Sequence, residues 1–334
     1  MTEPMNTLTA EMSSASVLET LDRDGVAMLP ALLEPAQLAG LQKSFDRVLE
    51  RPSFNTWAGF EQNEKWRLLV ENALTVDPAV VRLALHPLLK PILRAYLGDD
   101  FALTEARGWR TISTTREFHG WHNDAWYDEA QVAPAERPRE IKLALYLTDV
   151  ESGHFSYIAG SHRPAPPPRH WSPSEVAPLL SHRRDMLGSA GTAFLFDTSG
   201  IHRQTTPVLT PRNVLFLNFH SPSVPIQQLD LNYGRYRPLL LNAAFLPAMD
   251  DEDRRILGFG NMKGQSPDQC VVGRATARRY PALHAAVALA LAARLEVQEC
   301  QRQTRRVTGW FGRQLRRRLR PAGPATVSGT SPAN

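Results

Sequence analysis

The N-terminal third of the chain carries hydrophobic residues at helical spacing. A stretch that opens at Pro35 has an apolar side chain every three or four residues, the period of a helix with one buried face. Those apolar residues are Leu38, Leu41, Phe45, Val48 and Leu49. Asp77-Pro78 is a favourable cap and first-turn pair for a second helix, and Gly98 ends a third helical stretch. A short helix over 17–24 and a short strand over 25–30 are predicted to precede them.

After about residue 100 the pattern changes from helical spacing to short apolar runs. The runs are rich in β-branched, aromatic and other apolar residues, which indicates strands, and they lie at 109–115, 141–147, 191–197 and 213–219. Glycine and proline mark turns between them, including one at 151–153. Strands without long helices between them favour an antiparallel sandwich or barrel, and helix is predicted to return after residue 239.

Length and composition favour one elaborated domain. The chain has 334 residues, of which 43% are apolar and 22% are charged, which are ordinary values for a globular protein. We expect a disordered lead-in over 1–15 and a single domain over 16–300, with its β core at about 100–221. A basic helical segment and a disordered tail are predicted over 301–334.

The basic charge is concentrated in one C-terminal segment. Residues 301–320 hold eight arginines and no acid, and setting them aside changes the net charge from +4 to −4. The segment is typical of a terminal helix with a solvated arginine face, or of an amphipathic helix in weak contact with an anionic membrane surface. No nucleic-acid partner is expected, because no binding fold accompanies the arginines.

Targeting signals and cysteine motifs are not recognisable. The N-terminus lacks a basic and apolar leader pattern, and the longest apolar run, near 285–295, is about half the length of a membrane span. Cys270 and Cys300 match no metal or redox spacing. We therefore expect a cytoplasmic protein with free thiols.

Four residues carry the candidate chemistry. His122 and Asp124 are two positions apart, so on a strand both side chains point to the same face. With His202 they would supply two imidazoles and one carboxylate, a three-point site for iron(II) that leaves coordination positions open. Arg212 lies ten residues after His202, and its guanidinium could hold the carboxylate of a co-substrate.

Each of these signals also has a simpler explanation. A His-x-Asp pair fits a surface histidine beside a loop aspartate, and an arginine at a strand end fits a surface ion pair. The aromatic residues around the motif, Trp121, Trp126 and Tyr127, favour a partly apolar cavity instead.

Several ordered blocks resemble the phytanoyl-CoA dioxygenase family of iron(II)/2-oxoglutarate-dependent oxygenases. The resemblance runs from about residue 17 to 221, and it rests on blocks at 24–30, 121–124, 145–150, 152–163 and 191–197, followed by His202 and Arg212. The family usually carries Pro-Gly-Ser-His after its central strands. This chain has Ala-Gly-Ser-His at 159–162 in that place.

The resemblance implies a fold, a reaction and a set of site residues. The fold would be mostly β, a double-stranded β-helix of the jelly-roll type with helical N- and C-terminal extensions. Iron(II) would be held by His122, Asp124 and His202, and Arg212 would bind 2-oxoglutarate. Gln204 stands where relatives often have a hydroxyl that assists the co-substrate, and its amide could donate instead. His119 falls where relatives often line the co-substrate pocket.

The implied reaction consumes O2 and 2-oxoglutarate, releases succinate and carbon dioxide, and hydroxylates or otherwise oxidises a small organic molecule. Two long segments, 126–138 and 164–178, are candidate lids over the site. The residues leave two alternatives open: a metal-dependent hydrolase built on His119, His122 and Asp124, and a non-catalytic binding protein on the same barrel. The sequence predicts no particular oligomeric state.

Overall fold

The computed structural model describes most of residues 13–224. The described residues are 13–50, 56–57, 66–70, 73–133, 137–163, 166–224, 241–242, 249–257, 270–271, 300, 304 and 308. Of the predicted disordered lead-in over 1–15, residues 1–12 lie outside them, and residues 14 and 15 already belong to a helix. Of the predicted basic segment 301–334, only residues 304 and 308 are described, both as helix.

Four helices make up the N-terminal extension. They are α1 (Ser14–Asp24), α2 (Pro35–Glu50), α3 (Pro78–Ala84) and α4 (Leu89–Leu97). Two ends follow the predicted signals: the Asp77 side chain accepts the Ala79 amide, and Gly98 ends α4 with a φ of 98°. Gly25, expected to begin a strand, instead ends α1 with a φ of 76°. The predicted N-terminal helices are therefore confirmed, with α1 beginning three residues earlier than expected.

Seven strands form the larger sheet, and all its pairings are antiparallel. In spatial order they are β1 (Val26–Leu29), β10 (Ala193–Asp197), β6 (Ile141–Tyr146), β12 (Arg212–His220), β4 (Ala102–Thr111), β3 (Arg67–Val70) and β2 (Thr56–Trp57).

Five strands form the smaller sheet, also antiparallel throughout. Their spatial order is β8 (His170–Trp171), β5 (Trp121–His122), β11 (His202–Gln204), β7 (Val150–Ile158) and β9 (Arg183–Gly188). Beside it lie a short helix, α5 (Pro173–Val176), and a 3-10 turn over Ala177–His182.

The two sheets face each other across an apolar interior. Aromatic side chains from both sheets meet there, among them Tyr146 and Phe194 from the larger sheet and Phe155 and Tyr157 from the smaller. The other face of the larger sheet packs against the N-terminal helices in the main core. This arrangement confirms the mostly β, double-stranded β-helix fold with helical extensions.

Strand alternation assigns each side chain to one layer. In β6, Ile141, Leu143 and Leu145 join the helix-facing core, whereas Ala144 and Tyr146 point between the sheets. A continuous apolar run fits this strand because both its faces are buried.

Two strand predictions need correction. The strand expected at 109–115 is β4, which begins seven residues earlier and ends at Thr111. Its first half is hard to predict because its polar residues Glu105 and Arg107 face a buried interior. The turn expected at 151–153 lies inside β7. Gly153 there adopts a φ of 62° and the pairing with β9 shifts register, so a bulge rather than a chain reversal accommodates the glycine.

Little of the C-terminal part is described. A short helix, α6 (Asp251–Ile256), agrees with the predicted return to helix. Residues Leu241–Asn242 and Cys270–Val271 instead form a parallel pair of two-residue strands, β13 and β14. Within the described residues, no helix combines the length and the apolar character needed to cross a membrane.

A tight turn connects β10 to β11. The Asp197 side chain accepts the Ser199 amide at 2.9 Å, and the Tyr157 hydroxyl donates to the Asp197 carbonyl at 2.9 Å. Gly200 passes so close to Tyr157 that a Cβ at position 200 would lie 1.8 Å from the phenol oxygen. The turn therefore requires glycine for space, and it determines where β11 begins.

We predict that Gly200→Ala destabilises the fold by about 1–3 kcal/mol, because the added methyl overlaps a fully buried ring that has no room to move. Chemical denaturation measures the change. Gly40→Ala is the matched control, since nothing lies within 4 Å of a Cβ there and alanine favours helix α2. An unfolding free energy unchanged by Gly200→Ala would contradict this account of the turn.

Candidate metal centre and co-substrate site

Strand pairing places two histidines side by side. His202 of β11 lies directly opposite His122 of β5, with 4.4 Å between the ring centroids. Each Nδ1 lies close to a carbonyl oxygen, that of Gly120 at 2.9 Å and that of Gly200 at 2.8 Å. A carbonyl only accepts hydrogen bonds, so each Nδ1 donates and each Nε2 keeps a lone pair directed towards the other ring.

Asp124 completes a three-point cluster. Its backbone amide donates to the Thr198 carbonyl at 3.0 Å, which docks the residue at the end of β10. Its Oδ1 lies 3.7 Å from His122 Nε2 and 3.8 Å from His202 Nε2. One ligand atom from each residue lies within 4.8 Å of the others, a separation that a single metal ion can bridge.

The electrostatics of the cluster favour metal binding. Burial lowers the pKa of His202 to about 3, with a further contribution from His122, and burial also lowers the pKa of His122. Both imidazoles are therefore neutral near pH 7, the form that donates to a metal. Two imidazole nitrogens and one carboxylate oxygen suit iron(II), so the donor set fits the predicted ion.

Arg212 is a buried cation on the inner face of the larger sheet. It begins β12, lies on the same inward face of that strand as Val214, and is 4% exposed. Among the described residues, no acid forms an ion pair with it, and its Nε and Nη1 have no hydrogen-bond partner. Its guanidinium carbon lies 6.0 Å from the Tyr146 ring centroid, and burial lowers its pKa. A buried charge with no acid nearby is costly unless an anionic ligand supplies one.

Gln204 lies on the same side of β11 as His202. Its Nε2 is buried and has no hydrogen-bond partner among the described residues. Gln204 pairs with Phe155 of β7, whose amide donates to the Tyr146 hydroxyl, and Tyr146 is the ring beside Arg212. These contacts connect Gln204 to Arg212 through a continuous inner wall.

His119 occupies a more exposed position than the other candidates. Its ring centroid lies 5.3 Å from that of His122, and its Nε2 lies 3.3 Å from Arg67 Nη1. The Arg67 guanidinium in turn stacks on Trp109 of β4 at 4.0 Å. His119 is thus beside the cluster, and its assignment to the co-substrate pocket stays a prediction.

Lys142 and Glu140 also belong to the site, although neither is among the site residues predicted from the sequence. The Lys142 ammonium contacts Asp124 Oδ2 and lies 3.6 Å from Glu140 Oε1. The run 141–147 is apolar except for Lys142, and a lysine inside a buried strand is itself a signal. A charge in such a place requires a partner, and this partner is the carboxylate of the cluster.

Asn123, between His122 and Asp124, anchors the second candidate lid. Its Oδ1 accepts the Arg169 amide at 3.1 Å and Trp171 Nε1 at 2.9 Å. Its Nδ2 donates to the carbonyls of Pro166 and Pro167 at 3.3 and 3.1 Å. The segment at 164–178 is therefore not a plain loop: it contains β8, paired with β5, and helix α5.

Comparisons with known proteins agree with this geometry. A family model of phytanoyl-CoA dioxygenase (PhyH) matches residues 21–211. The ectoine dioxygenase of Nocardia farcinica is 27% identical over 235 residues, which make up 61% of this chain and 76% of the relative.

Two solved structures are among those to which this chain is similar. EctD from S. alaskensis, with 2-oxoglutarate and 5-hydroxyectoine, has a TM-score of 0.49 and 21% identity, covering 66% of this chain and 82% of EctD. HygX from Streptomyces hygroscopicus, with nickel and 2-oxoglutarate bound, has a TM-score of 0.45 and 18% identity, covering 65% of this chain and 88% of HygX.

We predict that Asn123→Ala loosens the segment 166–171, because four hydrogen bonds lose their partner at a cost of roughly 1–3 kcal/mol. Hydrogen exchange followed by mass spectrometry should show the amides of 169–171 exchanging about 10-fold faster or more, since the three prolines at 166–168 have no N–H. Ser174→Ala, an exposed change within α5, is the control and should leave the exchange of 169–171 as it is. Equal protection in Asn123→Ala would show that backbone pairing alone holds the segment.

Proposed function

We propose that this chain hydroxylates or otherwise oxidises a small organic molecule, with release of succinate and carbon dioxide. It belongs to the phytanoyl-CoA dioxygenase family and is an iron(II)/2-oxoglutarate-dependent dioxygenase. In this proposal His122, Asp124 and His202 hold the iron. Arg212 binds the distal carboxylate of 2-oxoglutarate, and Gln204 assists it.

The buried Arg212 is the observation that carries the co-substrate assignment. A guanidinium offers parallel N–H donors that match a carboxylate in a bidentate pair. Arg212 presents this group to the barrel interior with Nε and Nη1 unused by the described residues. An anionic ligand that enters the barrel would supply the missing negative charge, and 2-oxoglutarate has a carboxylate at each end.

The inner wall positions the ligands and limits the access of water. The Phe155 and Phe196 rings lie 5.4 and 5.3 Å from the His202 ring, and Tyr157 stacks nearly parallel to it at 6.3 Å. These rings fix the orientation of His202 and make this side of the site apolar. When bound, iron(II), 2-oxoglutarate and O2 supply the oxidising chemistry, and the chain supplies position and a dry pocket.

Neither alternative, the metal-dependent hydrolase or the non-catalytic binding protein, assigns a role to Arg212. A metal-dependent hydrolase would use His119 with His122 and Asp124 and would need no buried cation across the barrel. A non-catalytic barrel would need neither a complete donor set nor neutral imidazoles. We also propose that one dioxygenase domain spans 16–300 around a β core at about 100–221, with His119 at the edge of the co-substrate pocket.

We predict that anaerobic addition of iron(II) and 2-oxoglutarate produces the weak visible charge-transfer band of a bound keto acid. Arg212→Met should bind iron(II) as the wild type does but require about 100-fold more 2-oxoglutarate, because two charge-assisted hydrogen bonds are lost. Titration of the band measures both effects.

His202→Ala is the control for the metal, and it should abolish the band by removing a ligand. Release of succinate under air, measured with pools of small molecules, then identifies the substrate that raises turnover. Purified protein that binds iron(II) but shows no band with 2-oxoglutarate would refute the proposed function.

Gln204 provides a separate prediction. If its Nε2 donates to the co-substrate, Gln204→Leu should raise the dissociation constant of 2-oxoglutarate about 10-fold. Gln204→Glu keeps the shape but replaces the donor with a negatively charged acceptor, so it should bind 2-oxoglutarate more weakly than the leucine variant. Equal affinities of all three proteins for 2-oxoglutarate would show that Gln204 does not contact the co-substrate.

A further inference from the structure

Lys142 is a buried lysine that bridges the two sheets beside the metal cluster. It is the second residue of β6, a strand whose six residues are all buried, and it is 8% exposed. Its neighbours at 141 and 143 face the N-terminal helices, so alternation directs Lys142 into the barrel. Burying an ammonium costs free energy unless acids offset its charge.

The acids beside it include the carboxylate of the cluster. Lys142 Nζ contacts Asp124 Oδ2 and lies 3.6 Å from Oε1 of the fully buried Glu140. The other Asp124 oxygen, Oδ1, faces the two imidazoles at 3.7 and 3.8 Å. The two oxygens of one carboxylate therefore have different partners, an ammonium on one and the metal-binding nitrogens on the other.

The backbone bonds of Asp124 do not by themselves fix the rotation of its carboxylate. The Asp124 amide is tied to the Thr198 carbonyl at 3.0 Å, and the Thr198 amide is tied to the Glu140 carbonyl at 3.0 Å. These bonds fix where the residue sits but not how its carboxylate turns about the side-chain bonds. A cation on Oδ2 fixes that rotation, because turning the group would separate the ion pair inside the barrel.

We propose that Lys142 is a positioning residue that restricts Asp124 to metal coordination through Oδ1 alone. The inference rests on the proposed function, since it assumes that the cluster holds iron(II). Carboxylates bind metals through one oxygen or through both. An iron(II) held by one oxygen and two imidazoles would keep positions open for a keto acid and O2. A second bond from Asp124 would occupy one of them.

The test compares Lys142→Met with the wild type. Methionine keeps the length of the side chain and removes its charge. We expect iron(II) to bind at least as tightly as in the wild type, because a cation beside the metal site is removed and Oδ2 becomes free to coordinate. We also expect the charge-transfer band with 2-oxoglutarate to shift or disappear. Lys142→Arg, which restores a cation on Oδ2, should restore the wild-type affinity and the band.

Lys90→Met is the matched control. Lys90 is also a partly buried lysine paired with two acids, Glu252 and Asp253, but it lies on α4 away from the cluster. Its substitution should lower the unfolding free energy without changing iron affinity or the band. If Lys142→Met folds poorly, Lys142→Gln provides the same comparison with a neutral hydrogen-bond donor.

The outcomes separate the two claims. If the wild type shows the band, and Lys142→Met leaves both the iron affinity and the band unchanged, the inference is overturned. The proposed function then stands, with Lys142 a structural ion pair only. No band in the wild type would overturn the proposed function, and the inference with it.

Discussion

The site depends on one short antiparallel pairing, that of β5 with β11. It places His122 directly opposite His202, and backbone carbonyls at positions 120 and 200 fix both rings with Nε2 inward. Neither strand exceeds three residues, so neighbouring elements must hold the pairing: β7 on one side, β8 on the other, and the turn at Gly200 packed against Tyr157. The smaller sheet thus supplies both imidazoles, and Asp124, docked on the end of β10, connects them to the larger sheet.

Lys142 and Arg212 are both buried cations that face the barrel interior, and their surroundings differ. Lys142 contacts the carboxylate of Asp124 and has Glu140 nearby, so the chain itself supplies its counter-charge. Arg212 has no ion-pair partner among the described residues, and its neighbour Tyr146 is neutral. The difference assigns different roles: Lys142 acts on the protein's own metal ligand, whereas Arg212 is suited to an anion that arrives from solution.

Much of the fold could be predicted from the sequence because local signals were strong. A cap marked α3 and a stop glycine marked α4, and buried two-sided strands such as β6 and β10 appeared as continuous apolar runs. The strands of the smaller sheet were harder to predict. β7 contains a glycine bulge that is typical of a turn in sequence, and β5, β8 and β11 are too short for any period to be visible.

The sequence by itself determined the chemistry that is available: two histidines, one aspartate, one arginine, their order, and the family blocks that surround them. Those depend on residue identity and spacing, which a sequence shows directly. Only the tertiary structure decided which atoms meet. Pairing between distant strands brings Lys142 to one oxygen of Asp124 and Asn123 to β8. It also buries Arg212 where no acid of the described residues forms an ion pair with it. Such contacts join residues 18 to more than 40 positions apart, and no local pattern encodes them.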